Sequence, residues 1–103
     1  MQARLQRAGY SVQCAEGGAE ALSLLRTEPV DMVLADLRMP GISGIELLRR
    51  IRETHPGTPV AIVTAYSSSE SRADAIRAGA TGFLTKPVQD EDLFGLVEGV
   101  LNG

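Results

Sequence analysis

Cysteine is nearly absent from the chain: Cys14 stands alone, which excludes an internal disulfide framework and suits a reducing cytoplasm. Long apolar runs are missing too, and nothing approaches the roughly 20 residues that cross a bilayer. The opening stretch, Met1-Gln2-Ala3-Arg4-Leu5-Gln6-Arg7, has no apolar segment of the kind a secretory signal needs. His55 is the single histidine; with no second His or Cys at metal-ligand spacing it reads as a solvated helix end. Neither sign of charge dominates. Ten basic residues face 13 acidic ones, for a net charge of -3, so nothing favours binding to nucleic-acid backbones or anionic lipid, and no nucleic-acid or membrane partner is expected. What remains is 103 residues, 44% hydrophobic and 22% charged, the make-up of one soluble globular domain with one core and no room for two.

Short apolar runs alternate with helical periodicity. Met1 to Ala8 fits the last turns of a helix, with Met1, Leu5 and Ala8 on one face and Gly9 as its cap. Tyr10, Val12 and Cys14 alternate with polar neighbours, as in a half-buried strand near a sheet edge, and Cys14 reads as a small buried hydrophobe. From Gly18 to Glu28 apolar residues recur at helical spacing until Pro29. Val30–Ala35 and Val60–Val63 are apolar runs suited to strands buried on both faces, and Gly82-Phe83-Leu84 is a shorter one. Between them, Ser43 with Glu46 and Ser67 with Glu70 form capping-box patterns. The first opens a helix carrying Ile45, Leu48 and Ile51 that ends near His55. The second opens one with Ala73 and Ile76 facing inward that ends at Gly79. Asp90, Glu91 and Asp92 suit the positive end of a last helix with Leu93, Leu96, Val97, Val100 and Leu101 on its apolar face. Arg49, Arg50 and Arg52 read as an exposed helix face. Regular alternation of helix and strand predicts an α/β fold: a parallel sheet covered by helices on both faces.

Three of these strands end in a polar residue: Asp36 after Val30–Ala35, Thr64 after Val60–Val63, and Lys86 after Phe83-Leu84-Thr85. In a parallel sheet the C-terminal strand ends share one rim, where open α/β sheets bind ligands. Spacing alone therefore predicts a carboxylate, a hydroxyl and an ammonium converging in one crevice. A carboxylate can act as a nucleophile and form an acyl phosphate, while a lysine and a hydroxyl can hold phosphoryl oxygens. The plain alternative is that each residue merely ends its strand; three at matching positions argue against it.

Around the first of them the chain reads Asp36-Leu37-Arg38-Met39-Pro40-Gly41-Ile42-Ser43-Gly44, followed at a distance by Thr64-Ala65, Ala78-Gly79-Ala80 and Phe83-Leu84-Thr85-Lys86-Pro87. In order and spacing this strongly resembles the response-regulator receiver domains of two-component signalling. The resemblance implies a doubly wound, flavodoxin-like sheet of strand order 2-1-3-4-5. It also implies Asp36 as phosphoacceptor, Thr64 and Lys86 as phosphoryl-binding groups, Thr64 and Phe83 as switch residues, and a cis peptide bond before Pro87. Phe83 stands open between switch and simple core. Magnesium would be the cofactor, held by Asp36 and the backbone carbonyl of Arg38. A histidine kinase or phosphotransfer protein would be the phosphodonor partner, in the cytoplasm. Ser67–Leu101 would form the output and dimerisation face, and the chain would be a signalling module rather than an enzyme.

The resemblance also implies a first strand ending in an acidic pair that binds magnesium, and residues 1–103 read as a receiver domain without that strand, without the start of the first helix and without an output domain. Glu16 is the one candidate substitute for the pair. A missing inner strand removes about five apolar side chains at about 1.5–3 kcal/mol each, comparable with the roughly 5–15 kcal/mol that holds a domain together. The expectation is therefore one of three outcomes: the sequence is a piece of a longer chain, Tyr10–Cys14 pairs directly with Val30–Ala35, or a homo-oligomer forms across the open sheet edge. Two other functions compete. A degenerate receiver would bind partners or dimerise without phosphorylation. A phosphatase with an aspartate nucleophile needs a second aspartate two residues on, where Arg38 stands.

Overall fold

The computed structural model describes residues 7, 9, 17–27, 30–38, 41–65 and 67–101. Of the expected Met1–Ala8 helix only Arg7, which is helical, is described, together with the cap Gly9 at φ +96°; the Tyr10–Cys14 strand, with Cys14 and Glu16, lies outside the described residues, as do Met39 and Pro40.

Within them the order is helix α1 (Gly18–Thr27), strand β1 (Val33–Ala35), α2 (Gly44–Thr54), β2 (Val60–Thr64), α3 (Ser69–Arg77), β3 (Gly82–Thr85) and α4 (Asp90–Leu101). The three strands form a parallel sheet in the order β1-β2-β3. Val33 stands opposite Val60 and Ile62 opposite Phe83. All five residues of β2 are buried, which is why its sequence is a continuous apolar run rather than an alternating one. Side chains leave it toward both faces: Val60 and Ile62 join a cluster with Leu25, Leu47, Leu48, Ile51, Ala75 and Phe83. A second cluster unites Leu93 and Val97 of α4 with Leu34 and Leu84 of the flanking strands. Helices α1, α2 and α3 thus supply one layer and α4 the other, giving the α/β architecture with a parallel sheet.

The first run is shorter as a strand than the sequence suggests. Ladder pairing covers Val33–Ala35 only, with Asp31 exposed ahead of it. Helix α2 begins as expected, its N-cap Ser43 accepting from the Glu46 N–H at 3.2 Å. The other half of the box is replaced by ion pairs: the Glu46 carboxylate turns to Arg50 and Arg49 on the next turn.

Helix α3 corrects two expectations. Its N-cap is Ser68, not Ser67, and the box partner is Ser71 rather than Glu70. Three consecutive serines precede or open the helix, and Ser68, with its extended backbone, takes the cap. Its inward residue is Ala75, fully buried, whereas Ile76 is 55% exposed. Ala75 is the one fully buried position, with Ala78 three residues on packed against the same core, while Ala73 is partly buried. At the far end the Gly79 N–H donates to the Ile76 carbonyl and the Ala80 N–H to that of Ala75, a Schellman closure whose glycine sits at φ +102°. Arg52 of α2 joins this end, its Nε donating to the Gly79 carbonyl at 3.1 Å and its Nη1 to that of Pro56 at 3.1 Å.

Candidate functional site

Parallel pairing brings the three strand ends to one rim. Asp36 directly follows β1, Thr64 is the last residue of β2, and Lys86 directly follows β3. The register is tied at the rim itself by the Lys86 N–H donating to the Thr64 carbonyl at 2.8 Å. The Lys86 ammonium lies 2.8 Å from Oδ2 of Asp36. The Arg38 backbone N–H donates to Oδ1 at 3.2 Å, and the Thr64 hydroxyl also hydrogen-bonds the carboxylate. The predicted carboxylate, hydroxyl and ammonium therefore meet, around a side chain that keeps 26% of its surface in water.

Partial burial works against ionisation of Asp36, but Lys86, the Arg38 N–H and Thr64 outweigh it and hold the carboxyl below its ordinary 3.8. At neutral pH Asp36 is an anion with an open side, the ionisation state a nucleophilic oxygen needs. Thr64, the last residue of β2, is fully buried. The Lys86–Pro87 peptide bond is cis. Phe83 lies three residues before Lys86 in the α1–α3 side of the core, 8% exposed.

One residue of the motif acquires a physical reason only in three dimensions. The loop after Asp36 turns back so that the Gly44 N–H donates to the Leu37 carbonyl at 3.1 Å. A Cβ on Gly44 would collide with the Asp36 carbonyl oxygen and crowd the Leu37 Cα at 3.0 Å. Glycine here lets the first turn of α2 close against the backbone of Asp36. A single close approach across a loop leaves no periodicity in a sequence, so the motif showed the glycine without the cause. Arg72 was likewise unmarked: its guanidinium carbon lies 5.0 Å from the Phe83 ring centroid.

Magnesium needs an octahedral set of oxygens. Among the described residues no three His, Cys, Asp or Glu side chains gather, and both oxygens of the Asp36 carboxylate already accept hydrogen bonds. The described donors, Asp36 and the Arg38 main chain, do not by themselves make a magnesium site.

This geometry places an ionised carboxylate at one strand end with a lysine and a buried hydroxyl on the neighbouring ends, at the rim of a doubly wound sheet. The chain belongs to the response regulator receiver domain family, which matches residues 1–98. It is 43% identical over 98 residues to the transcriptional regulatory protein GlrR of Escherichia coli, covering 95% of this chain and 22% of that protein. It is 39% identical over 94 residues to the DNA-binding transcriptional regulator NtrC of the same species, covering 91% of this chain and 20% of that one. The chain thus spans about a fifth of the length of these curated relatives. Among solved structures, a CheY-like receiver domain protein from Methanospirillum hungatei superposes with a TM-score of 0.91 at 31% identity, over 97% of this chain and 80% of that one. No helix among the described residues is long and apolar enough to cross a membrane.

Proposed function

We propose that this receiver domain, residues 1–103, takes a phosphoryl group on Asp36 from a histidine kinase or phosphotransfer protein, in the cytoplasm. The observation that carries the reading is the Lys86 ammonium 2.8 Å from Oδ2 of Asp36 on the neighbouring rim position. A carboxylate oxygen attacks the donor's phosphorus, the bond from phosphorus to the donor breaks, and the donor leaves with the electron pair. The product is an acyl phosphate, which carries more negative charge than the carboxylate it replaces. Lys86 and the Thr64 hydroxyl then have phosphoryl oxygens to bind, and their hydrogen bonds to the carboxylate are given up for stronger ones to the phosphoryl group. Phe83 and Thr64 carry the change outward from there, toward the Ser67–Leu101 surface, where the exposed Ile76 offers an apolar contact to a partner or a second copy.

Magnesium remains the family's expected cofactor, and the assay is built to include it. The purified chain is incubated with acetyl phosphate, with and without magnesium, and its intact mass is measured beside Asp36→Asn. A single phosphoryl adduct in the parent and none in the variant supports the reading. A folded sample that takes no adduct in the presence of magnesium overturns it, in favour of a binding module that works without phosphorylation.

A further inference from the structure

Helix α3 has little apolar purchase on the sheet. Ala75 is its one buried residue, and an alanine methyl buries a small fraction of what a leucine does. Arg72 lies one turn before Ala75 on the same helix face, since residues three apart are neighbours. From there its guanidinium carbon reaches 5.0 Å from the centroid of the Phe83 ring. The ring belongs to the buried cluster with Ile62, its neighbour across the ladder, and Ala75. Phe83 in turn sits three residues before Lys86 on the strand that delivers that lysine to Asp36. A planar, weakly hydrated guanidinium on an aromatic face is attracted by the ring's quadrupole, while its stem shields the ring from water.

We propose that Arg72 is a positioning residue: its guanidinium holds the Phe83 ring in its inward orientation and, through that contact, ties the first turns of α3 to β3. The functional weight of this latch rests on the reading of Phe83 as a residue that moves with phosphorylation at Asp36. The latch itself is a property of the unphosphorylated chain. Releasing it lets the ring sample its other side-chain rotamers and loosens the N-terminal half of α3, which begins a short loop beyond Thr64. The ring and the helix then share one equilibrium, which a bound phosphoryl group or a partner on α3 would bias from opposite ends.

The test reads the Phe83 side chain directly. Phenylalanine-labelled chain, without any phosphodonor, is compared by NMR as parent, Arg72→Ala, Arg72→Lys and Arg72→Leu, using three-bond couplings to obtain the rotamer populations of Phe83. Phe94, packed in the other cluster, serves as the internal control for an intact fold. The expected result is a shift of about two- to five-fold in the inward-to-outward ratio for Arg72→Ala, the range an exposed cation–π contact supports. Arg72→Leu should shift it nearly as far despite its similar apolar cover, and Arg72→Lys should fall between parent and alanine. Unchanged Phe83 populations in Arg72→Ala, or full restoration by Arg72→Leu, overturns the proposal, the second by showing that apolar cover alone suffices. Should Arg72→Ala fail to fold, the lysine and leucine variants decide between them. Because no phosphodonor is present, a negative result here leaves phosphorylation of Asp36 standing, and a failed adduct assay leaves the latch standing.

Discussion

Helices α2 and α3 cover the same face of the sheet and are held there in different ways. Helix α2 drives Leu47, Leu48 and Ile51, all fully buried, into the cluster around β2. At about 1.5–3 kcal/mol for each such side chain, this anchor alone rivals the net stability of a small domain. Helix α3 offers one buried alanine and leaves its isoleucine 55% exposed. Of its end contacts, only the reach of Arg52 to the Gly79 carbonyl ties it to a neighbour, while the Ser68–Ser71 box and the Gly79 closure finish the helix itself. The difference has a functional direction. The first turn of α2 closes on the backbone of Asp36 through Gly44, so Asp36 stands beside the firmly anchored helix. Helix α3 follows Thr64 and touches Phe83, so the hydroxyl and the aromatic ring lead to the side that moves at little cost. Segments with few buried apolar contacts have the lowest opening free energies in a fold, and here such a segment lies immediately beyond the site.

The largest expected effect breaks the rigid side. Leu48→Ala should lower stability by about 2–5 kcal/mol, the range for deleting a buried leucine side chain. Urea unfolding checks it through a lower midpoint at unchanged slope. Next comes Gly44→Ala. The added Cβ runs into the Asp36 carbonyl oxygen, and that contact is to backbone, which cannot swing away. A loss of about 1–3 kcal/mol is expected from overpacking. The yield of the phosphoryl adduct at Asp36 should fall as well, because the loop carrying the carboxylate has to shift. A Gly44→Ala variant with unchanged stability and adduct yield would show that the loop and α2 are not coupled.

The asymmetry between the two helices was only half legible in the sequence. Leu48 and Ile51 mark the face of α2 because its other face is charged and the contrast is unambiguous. Helix α3 has alanine at 73, 75 and 78, so apolar spacing fits more than one face, and the side that includes Ile76 is the wrong one. The serines at its start are equally good caps by residue type, and only the backbone conformation selects Ser68. The rim of the site could be read early for a different reason: each apolar run ends in a polar residue, and a parallel sheet places all such ends together whatever the details of packing. What could not be read are contacts between residues that share no repeating pattern, such as Gly44 on Asp36, Arg52 on Gly79 and Arg72 on Phe83.

A smaller effect sharpens the comparison at the rim. Replacing Lys86 with Met removes a hydrogen bond and a positive charge from Asp36, leaving burial opposed only by the Arg38 N–H and Thr64. The carboxyl should then titrate at higher pH than in the parent, followed by carbon NMR of the Asp36 carboxyl. In the parent, the folded-state value lies below the unfolded 3.8. Asp36 therefore contributes stability that is fully present above 3.8 and is lost as pH falls through the lower folded value. Compared with Asp36→Asn, the parent should keep a constant stability difference above that point and lose it only in stronger acid. A difference that changes near neutral pH would point to another titrating group.

The smallest expected effect is on α3, and its smallness is the point. Ile76→Ser removes a large apolar side chain, which in α2 would cost several kcal/mol, yet Ile76 is 55% exposed and outside both buried clusters. Stability should stay within about 0.5 kcal/mol of the parent, as for surface substitutions away from caps and networks. The same experiment on Ile51, which is fully buried, gives the reference for what an isoleucine is worth on the other helix. If Ile76→Ser proved as damaging as Ile51→Ser, α3 would be anchored through that residue after all, and the division into a fixed and a movable helix would fall. If it is neutral, Ile76 plays no part in anchoring α3, and the helix rests on its buried alanine and its end contacts.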